Sequence, residues 1–363
     1  MEGSSSLMEV NGTGVVYSTG AVTAALVACI ALIIVGVLGN LATVTAISLS
    51  PKLRASATSV FILSLSATDL LFSAFNLPIQ AVRWAHGSWV LGSALCTLFP
   101  LGFYLNVAAS LFTMCAVTIN RYVLIAHYTS YDRVYRSWSM GLMVAFCWLF
   151  PLGLLLPTLL GAWGRFGFQA ATFSCTILPD AHGSSPKKFF FLLGFFLPLS
   201  IILACYCRIG WVFWRSERSL GSARSGRSEE GGEGRTLTAM VAVIVAAFVL
   251  FYLPLMLANV LDDGNAYPDL HVMASVLAYA AAAVNPLIYG LMSTRYRQAY
   301  AQVFRLFSRR KARALGTSNS LVTSSSGGGR GSSSLPRLSD SFHHINLHTT
   351  TRPFHTPISP ISA

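Results

Sequence analysis

Apolar residues gather along this chain in seven long blocks, Ala21–Ser48, Thr58–Val82, Ser93–Ile125, Ser139–Gly161, Phe189–Trp214, Thr236–Leu261 and Leu270–Met292, with polar stretches between them. Each block is longer than the roughly 20 apolar residues that a helix needs to cross a bilayer. Leu, Val, Ala and Phe fill the blocks without period-two alternation, and several contain Pro, so they predict helices and not barrel strands. The expected fold is an all-α membrane protein, a seven-transmembrane helix bundle. Past the seventh block the period changes: Tyr296, Tyr300, Phe304 and Phe307 recur every three or four residues among Arg295, Arg297 and Arg305. That spacing predicts a short amphipathic helix, Thr294–Phe307, lying on the inner leaflet.

Composition agrees with the pattern. Residues are 54% hydrophobic and 10% charged, against roughly 25% charged in a soluble domain, so the apolar surface must face something other than water. The formal net charge of +12 would suit nucleic acid, but basic residues beside membrane spans orient those spans and meet lipid head groups. Their distribution favours the second reading. With the N-terminus outside, Arg83, Arg165, Lys187 and Lys188 are the outer cations, leaving 21 of the 25 Lys and Arg on the inner side or its border. The positive-inside rule then places the N-terminus outside and the C-terminus inside. Acidic residues lean outward, at Asp262, Asp263 and Asp269.

The expected organisation is an extracellular segment 1–20, the bundle 21–292, a juxtamembrane helix and basic stretch 293–313, and a disordered Ser/Thr-rich cytoplasmic tail 314–363. Residues 1–20 are polar and lack a basic n-region, so the first span is expected to act as its own insertion signal. Asn11 heads the glycosylation sequon Asn11-Gly12-Thr13 on the expected outside. Two loops are long, Ala162–Lys188 outside and Arg215–Arg235 inside, and both are expected to be partly flexible. The Ser runs of the tail are either phosphorylation sites or plain linker, and its His343, His344, His348 and His355 are not read as a metal site.

Of seven Cys, only Cys96 and Cys175 fall on the outer side, which makes them the pair able to oxidise. A bridge between them would close about 80 residues and contribute on the order of 4 kcal/mol in the chain-entropy model. The alternative is two free thiols. Cys29, Cys115, Cys147, Cys205 and Cys207 fall in spans as packing residues, and no Cys follows the seventh span to carry a palmitoyl anchor.

Asp69 is the only carboxylate deep within a span, where a charge costs about 2.5–3.5 kcal/mol even on the lenient insertion scale. Asn40, Asn106, Ser110 and Asn285 supply polar groups to solvate it. The cluster either holds an allosteric sodium ion, the one guest expected in a chain with no other cofactor or metal, or only glues the helices together. Arg121 stands at the inner end of the third span between Asn120 and Tyr122, and on its own reads equally well as a snorkelling interfacial arginine. Pro78, Pro151, Pro157, Pro198, Pro254 and Pro286 are each expected to free a carbonyl and kink a helix.

The residues Gly39-Asn40, Leu65-Ser66-Ala67-Thr68-Asp69, Cys96, Asn120-Arg121-Tyr122, Trp148, Cys175, Pro198 with Tyr206, Phe248 with Pro254, and Asn285-Pro286-Leu287-Ile288-Tyr289 stand in this order. The set resembles rhodopsin-like G-protein-coupled receptors, over roughly residues 21–307. Asn120-Arg121-Tyr122 running into His127-Tyr128, followed by Tyr131-Asp132-Arg133-Val134-Tyr135, is similar to the branch that holds the insect moody and trapped-in-endoderm receptors and the melatonin and medium-chain-fatty-acid receptors. The resemblance implies an agonist site in the outer half and an Arg121 that meets a heterotrimeric G protein, inhibitory-type Gα first, when the sixth span swings outward. Tyr206 and Tyr289 would steady the open state, and arrestin and receptor kinases would act on the tail. It implies a role in cell migration or in epithelial or glial barrier signalling.

Two departures matter. Asn120 replaces the usual Asp beside the Arg, and Gly234 stands where the sixth span often carries a partner acid, so the inactive lock is expected to be loose. Phe251-Tyr252-Leu253-Pro254 replaces the familiar Cys-Trp-x-Pro, which assigns the rotamer switch to Tyr252, beside Phe248, and leaves its hydroxyl in need of a partner.

Carried onto this chain, the family's ligand positions argue by exclusion. Phe103 stands where amine receptors place an Asp, Tyr279 where retinal proteins place a Lys, and Thr158 and Gly194 where melatonin receptors use Asn and His. What remains is an aromatic and apolar lining of Phe103, Tyr104, Val107, Tyr252, Met256, Asn259, Ser275 and Tyr279. Arg83, Arg165 and His271 near the rim could accept a carboxylate or phosphate, which suggests a lipid-like agonist, unless the arginines only face solvent or lipid. A transporter would show a second intramembrane acid or an inverted repeat, and a structural junction protein has no need of Arg121 with Tyr206 and Tyr289. Enzyme chemistry finds no nucleophile with a positioned base and no Gly-rich phosphate loop.

Overall fold

A computed structural model describes residues 7–9, 16–219, 229–261 and 266–323. Asn11, Asp262, Asp263, residues 220–228 of the long inner loop and the tail beyond Thr323, with its four His, lie outside the described residues. A strand pair, β1 (Leu7–Glu9) and β2 (Val16–Ser18), leads into α1 (Thr19–Leu49). Then follow α2 (Ala57–His86), α3 (Gly92–Ala126), α4 (Ser137–Leu159), α5 (Lys187–Arg215, helical onward to Ser219), α6 (Glu229–Leu261) and α7 (Pro268–Met292). Seven helices are long and apolar enough to cross a membrane. α8 (Thr294–Thr323) closes the described chain.

The apolar surface points outward. α1 exposes Val27, Ile30, Ile34, Leu38 and Leu41, and turns Gly36, Asn40, Thr43 and Ala46 inward. Small inward residues let helices approach closely where lipid offers no hydrophobic drive for them to associate. A Cβ on Gly39 would lie 3.0 Å from Pro286, and one on Gly36 would lie 2.9 Å from Ser73 Cβ, so α1 seats on α7 and α2 at these two glycines. α2 exposes Leu71 and Phe75 and buries Ser59, Ser66, Asp69, Ser73, Asn76 and Gln80. At the centre, Met114 and Leu111 of α3 meet Ile202 of α5, Ile244, Phe248 and Tyr252 of α6, and Tyr289 of α7.

Not every kink follows a proline in the expected way. Pro78 and Pro198 each come just after a π-helical turn, Phe72–Asn76 and Leu192–Phe196. The residue whose carbonyl a proline would crowd, four positions back, lies inside that wider turn, which absorbs the clash within the helix. Pro100, Pro151, Pro157, Pro254 and Pro286 are helix-interior.

The long loop 162–188 is more ordered than expected. β3 (Arg165–Gln169) and β4 (Ser174–Leu178) pair antiparallel, with Phe168 opposite Cys175. Cys175 is bonded to Cys96 at the start of α3. Phe173, in the turn, takes a left-handed φ of 36° and is fully buried between Tyr17 of β2 and Trp84 of α2, with ring centres 4.9 and 5.3 Å away. Burial of this aromatic set is what holds a strained turn residue in place. Further along, the Asp180 carboxylate accepts from the N–H groups of Ser184 and His182, which hold it below the usual carboxylate range.

The aromatic stripe after the seventh span divides. Tyr296, Ala299, Tyr300 and Val303 turn toward the bundle, where Tyr296 donates to Ser59 Oγ at 3.2 Å and the Tyr300 hydroxyl bonds Thr43 Oγ1 at 2.8 Å. Phe304, Leu306 and Phe307 are exposed, the face expected to enter a leaflet. The helix runs to Thr323 and not only to Phe307, so its end passes the expected border at residue 313.

Candidate functional site

α3 threads three sites. Near its end Arg121 is 4% exposed, so the snorkelling reading is corrected. Its guanidinium donates to Thr58 Oγ1 and, at 3.4 Å, to Asn120 Oδ1, while Asn120 Oδ1 also accepts from Thr58 at 3.0 Å. Asn120 Nδ2 donates to the Tyr131 hydroxyl at 3.1 Å, tying the short helix Tyr128–Val134 to the same cluster. The partners of Arg121 are neutral, and its Nε has none. Thr58 carried no signal in the sequence, because a Thr at the start of an apolar block is common. Tyr122 faces away, its hydroxyl 3.1 Å from His127 Nε2. Tyr206 donates to the Thr238 carbonyl at 3.4 Å, whereas the Tyr289 hydroxyl is buried with no partner.

Midway, Asn285 Nδ2 donates to Asp69 Oδ2 at 2.7 Å. The Ser110 hydroxyl lies 3.3 Å from that of Thr68, and Asn106 Oδ1 accepts from Tyr252 at 3.5 Å, which gives the Tyr252 hydroxyl its partner. The Phe248 and Tyr252 rings lie 4.4 Å apart, one turn before Pro254. Asn40 does not converge on Asp69: its Nδ2 donates to the carbonyls of Gly36 and Ala282, bracing α1 on α7 just ahead of Pro286.

At the β-strand end, about 27 Å along α3 from Arg121 at 1.5 Å per residue, two chambers open on either side of Phe103 and Tyr104. The narrow one, of about 110 Å³, is lined by Arg83, Asn259, His271, Ser275 and Tyr279, with Tyr17 and Trp84. The wide one, of about 650 Å³, is lined by Val107, Met256 and Asn259 with Leu154, Leu155, Phe191 and Phe195. Gln80, which the sequence reading missed, donates to the Tyr279 hydroxyl at 2.6 Å. Arg165 is exposed at the start of β3 and lines neither chamber, so its assignment to the pocket is corrected.

The profile of the 7 transmembrane receptor (rhodopsin family) matches residues 39–289, from Gly39 to Tyr289, and so takes in Asp69, Arg121 and the whole of α3. The chain belongs to the rhodopsin family of seven-transmembrane receptors. As a rhodopsin-family receptor it is a multi-pass plasma-membrane protein that acts through heterotrimeric G proteins, and it is not an enzyme. It is 41% identical over 305 residues to protein trapped in endoderm-1 of Drosophila melanogaster, covering 78% of this chain and 77% of that one. It is 35% identical over 348 residues to the G-protein coupled receptor moody of Drosophila melanogaster, covering 79% of this chain but about half, 52%, of moody. Squid rhodopsin shares the fold, with a TM-score of 0.70 at 22% identity over 80% of this receptor and 87% of that chain.

Proposed function

We propose that this receptor takes an extracellular, lipid-like agonist into the chambers beside Phe103 and Tyr104 and passes the signal to an inhibitory-type Gα. The observation that carries the reading is Arg121, buried at the far end of α3 with only neutral partners among the described residues. In this account the N-terminus is extracellular, Tyr252 and Phe248 repack when the agonist binds, and α6 moves about Pro254. Arg121 then leaves Thr58 and Asn120 for the G protein, while Tyr206 and Tyr289 turn to the vacated space. Receptor kinases and arrestin act on the tail. The same reading assigns the receptor a role in cell migration or in epithelial or glial barrier signalling.

The lock on Arg121 is weak because it lacks charge. Hydrogen bonds between an ion and a neutral group are weaker than those of an ion pair in the same geometry. Wild type is therefore expected to dissociate G proteins without ligand in an energy-transfer panel in cells. Asn120→Asp at equal surface expression is expected to cut that basal signal roughly tenfold, the effect of about 1.4 kcal/mol on a two-state equilibrium. An Asn120→Asp receptor as active as wild type would sink the loose-lock account.

A sodium ion fits the Asp69 cluster by the chemistry of its donors, since one carboxylate, the Ser110 hydroxyl and Asn106 Oδ1 are hard oxygen donors, and Asn106 Oδ1 would exchange its 3.5 Å bond from Tyr252 for the ion. Sodium is expected to raise the unfolding temperature more than potassium does, and Asp69→Asn to erase the difference. Equal responses to the two ions in wild type would rule the ion out and leave a polar cluster that joins helices.

A further inference from the structure

At the β-strand end a second arginine is buried among neutral groups. Arg83 is 5% exposed; its Nη1 donates to the Thr172 carbonyl at 3.2 Å, its guanidinium lies 3.9 Å from the Trp84 ring centre and 5.1 Å from that of Phe173, and its Nε has no hydrogen-bond partner. Among the described residues no carboxylate meets it. A buried charge without a counter-charge is costly to fold, and a bound anion offsets that cost. Arg83 lines the narrow chamber, whose volume of about 110 Å³ suits a small head group and not a chain.

The wide chamber has the complementary character. Its volume of about 650 Å³ lies in the range of sites that hold drug-sized ligands. Pro151, Leu154, Leu155, Phe191 and Phe195 make its walls apolar. Among the described residues no Asp or Glu lines either chamber, whereas Arg83, Lys187 and Lys188 do. Phe103, Tyr104, Gln169 and Asn259 border both, so the two chambers are adjacent. α4 and α5 each pack on α3 but scarcely on each other, and a Cβ built on Gly194, in the π-helical turn of α5, would meet nothing within 4 Å. Leu154 and Leu155 of α4 and Phe191, Gly194 and Phe195 of α5 line the wide chamber, so a chain seated there lies between these two helices, away from the Tyr17 side of the narrow chamber.

We infer that the ligand is a single-chain amphiphile with one anionic head group, a carboxylate or a phosphate, whose charge pairs with Arg83 while its chain lies between α3, α4 and α5. The inference rests on reading these chambers as the agonist site. It is tested on the full chain, purified into discs of neutral phosphatidylcholine, by thermal unfolding with a long-chain fatty acid, the lysophosphatidic acid of the same chain, and the matching fatty alcohol. At least one of the two anions is expected to raise the unfolding temperature and the alcohol to do little, and whichever anion is stronger names the head group. Arg83→Met is expected to weaken anion binding by roughly 30-fold or more without lowering the unfolding temperature of the ligand-free receptor. Gly194→Trp is expected to remove the stabilisation by the anion as well, because it fills the space of the chain.

Equal stabilisation by acid and alcohol, no stabilisation by either anion, or an Arg83→Met receptor that keeps the anion preference would each overturn the inference. So would an Arg83→Met receptor that is less stable without ligand and unchanged toward the anion, because Arg83 would then only pin the β3–β4 turn. Failure of the agonist-site reading looks different: the anion binds in an Arg83-dependent way, yet G-protein dissociation in cells does not respond to it.

Discussion

Arg121→Ala is expected to bring G-protein dissociation down to background at matched surface expression, a loss of about 100-fold or ~2.7 kcal/mol, while leaving the receptor no less stable than wild type. The two halves of this expectation come from the same burial. Arg121 is almost wholly enclosed and its described partners, Thr58 and Asn120, already bond each other at 3.0 Å. Removing the guanidinium leaves that pair intact, and deleting a buried cation with no counter-ion is neutral or stabilising. The residue is thus poorly placed to be structural glue. Its five donors on a rigid plane suit charge-assisted bonds to the G protein that, in the proposed mechanism, would reach it on movement of α6. Thermal unfolding of the purified variant, set beside the energy-transfer panel, separates the two effects. A variant that signals like wild type would remove Arg121 from the coupling site, and one that unfolds well below wild type would make it a packing residue.

Arg83 and Arg121 invite comparison, since each is a buried cation with neutral described partners, near opposite ends of the bundle. In the sequence they looked alike only as arginines near span ends, where snorkelling is the ordinary expectation. Burial distinguished them from Arg165, which stands on an outward position of β3. Helix ends, by contrast, were legible to within a few residues, as with Ala21–Ser48 against α1 at Thr19–Leu49, because bilayer thickness sets the length of an apolar run. α6 is the exception, starting at Glu229 in a run of Gly and Glu that reads as loop. Harder still were features decided by packing between distant segments. Asn40 could reach Asp69 or a backbone carbonyl with equal chemical sense, and only the approach of α1 to α7 at Gly39 decides for Ala282. The same holds for Tyr17, whose segment read as polar and yet lines the narrow chamber. π-helical turns before Pro78 and Pro198 also leave no mark of their own, since proline position shows the strain but not where the helix releases it.

Cys175→Ser is expected to cost about 4 kcal/mol of stability, which for a bundle of this size lowers the unfolding temperature by roughly 8–16 °C, and to reduce receptor at the cell surface. The bridge joins Cys96 at the start of α3 to β4 across 79 residues, so its loss frees a long loop in the unfolded chain. It also frees the β3–β4 hairpin in the folded one. Phe173, two residues before Cys175, holds its left-handed conformation between Tyr17 and Trp84, and Trp84 in turn lies against Arg83. A hairpin that lifts therefore unroofs the narrow chamber and exposes the Arg83 charge to water. Two consequences separate this from a general loss of packing. Cys96→Ser and the double variant are expected to match Cys175→Ser, because one bond can be broken only once. Anion binding is also expected to fall further than unfolding alone predicts, and to fall in all three variants alike. Additive losses in the double variant would mean that the two cysteines act separately. Full stability and surface expression in Cys175→Ser would mean that aromatic burial alone holds the roof, and that the bridge adds nothing to it.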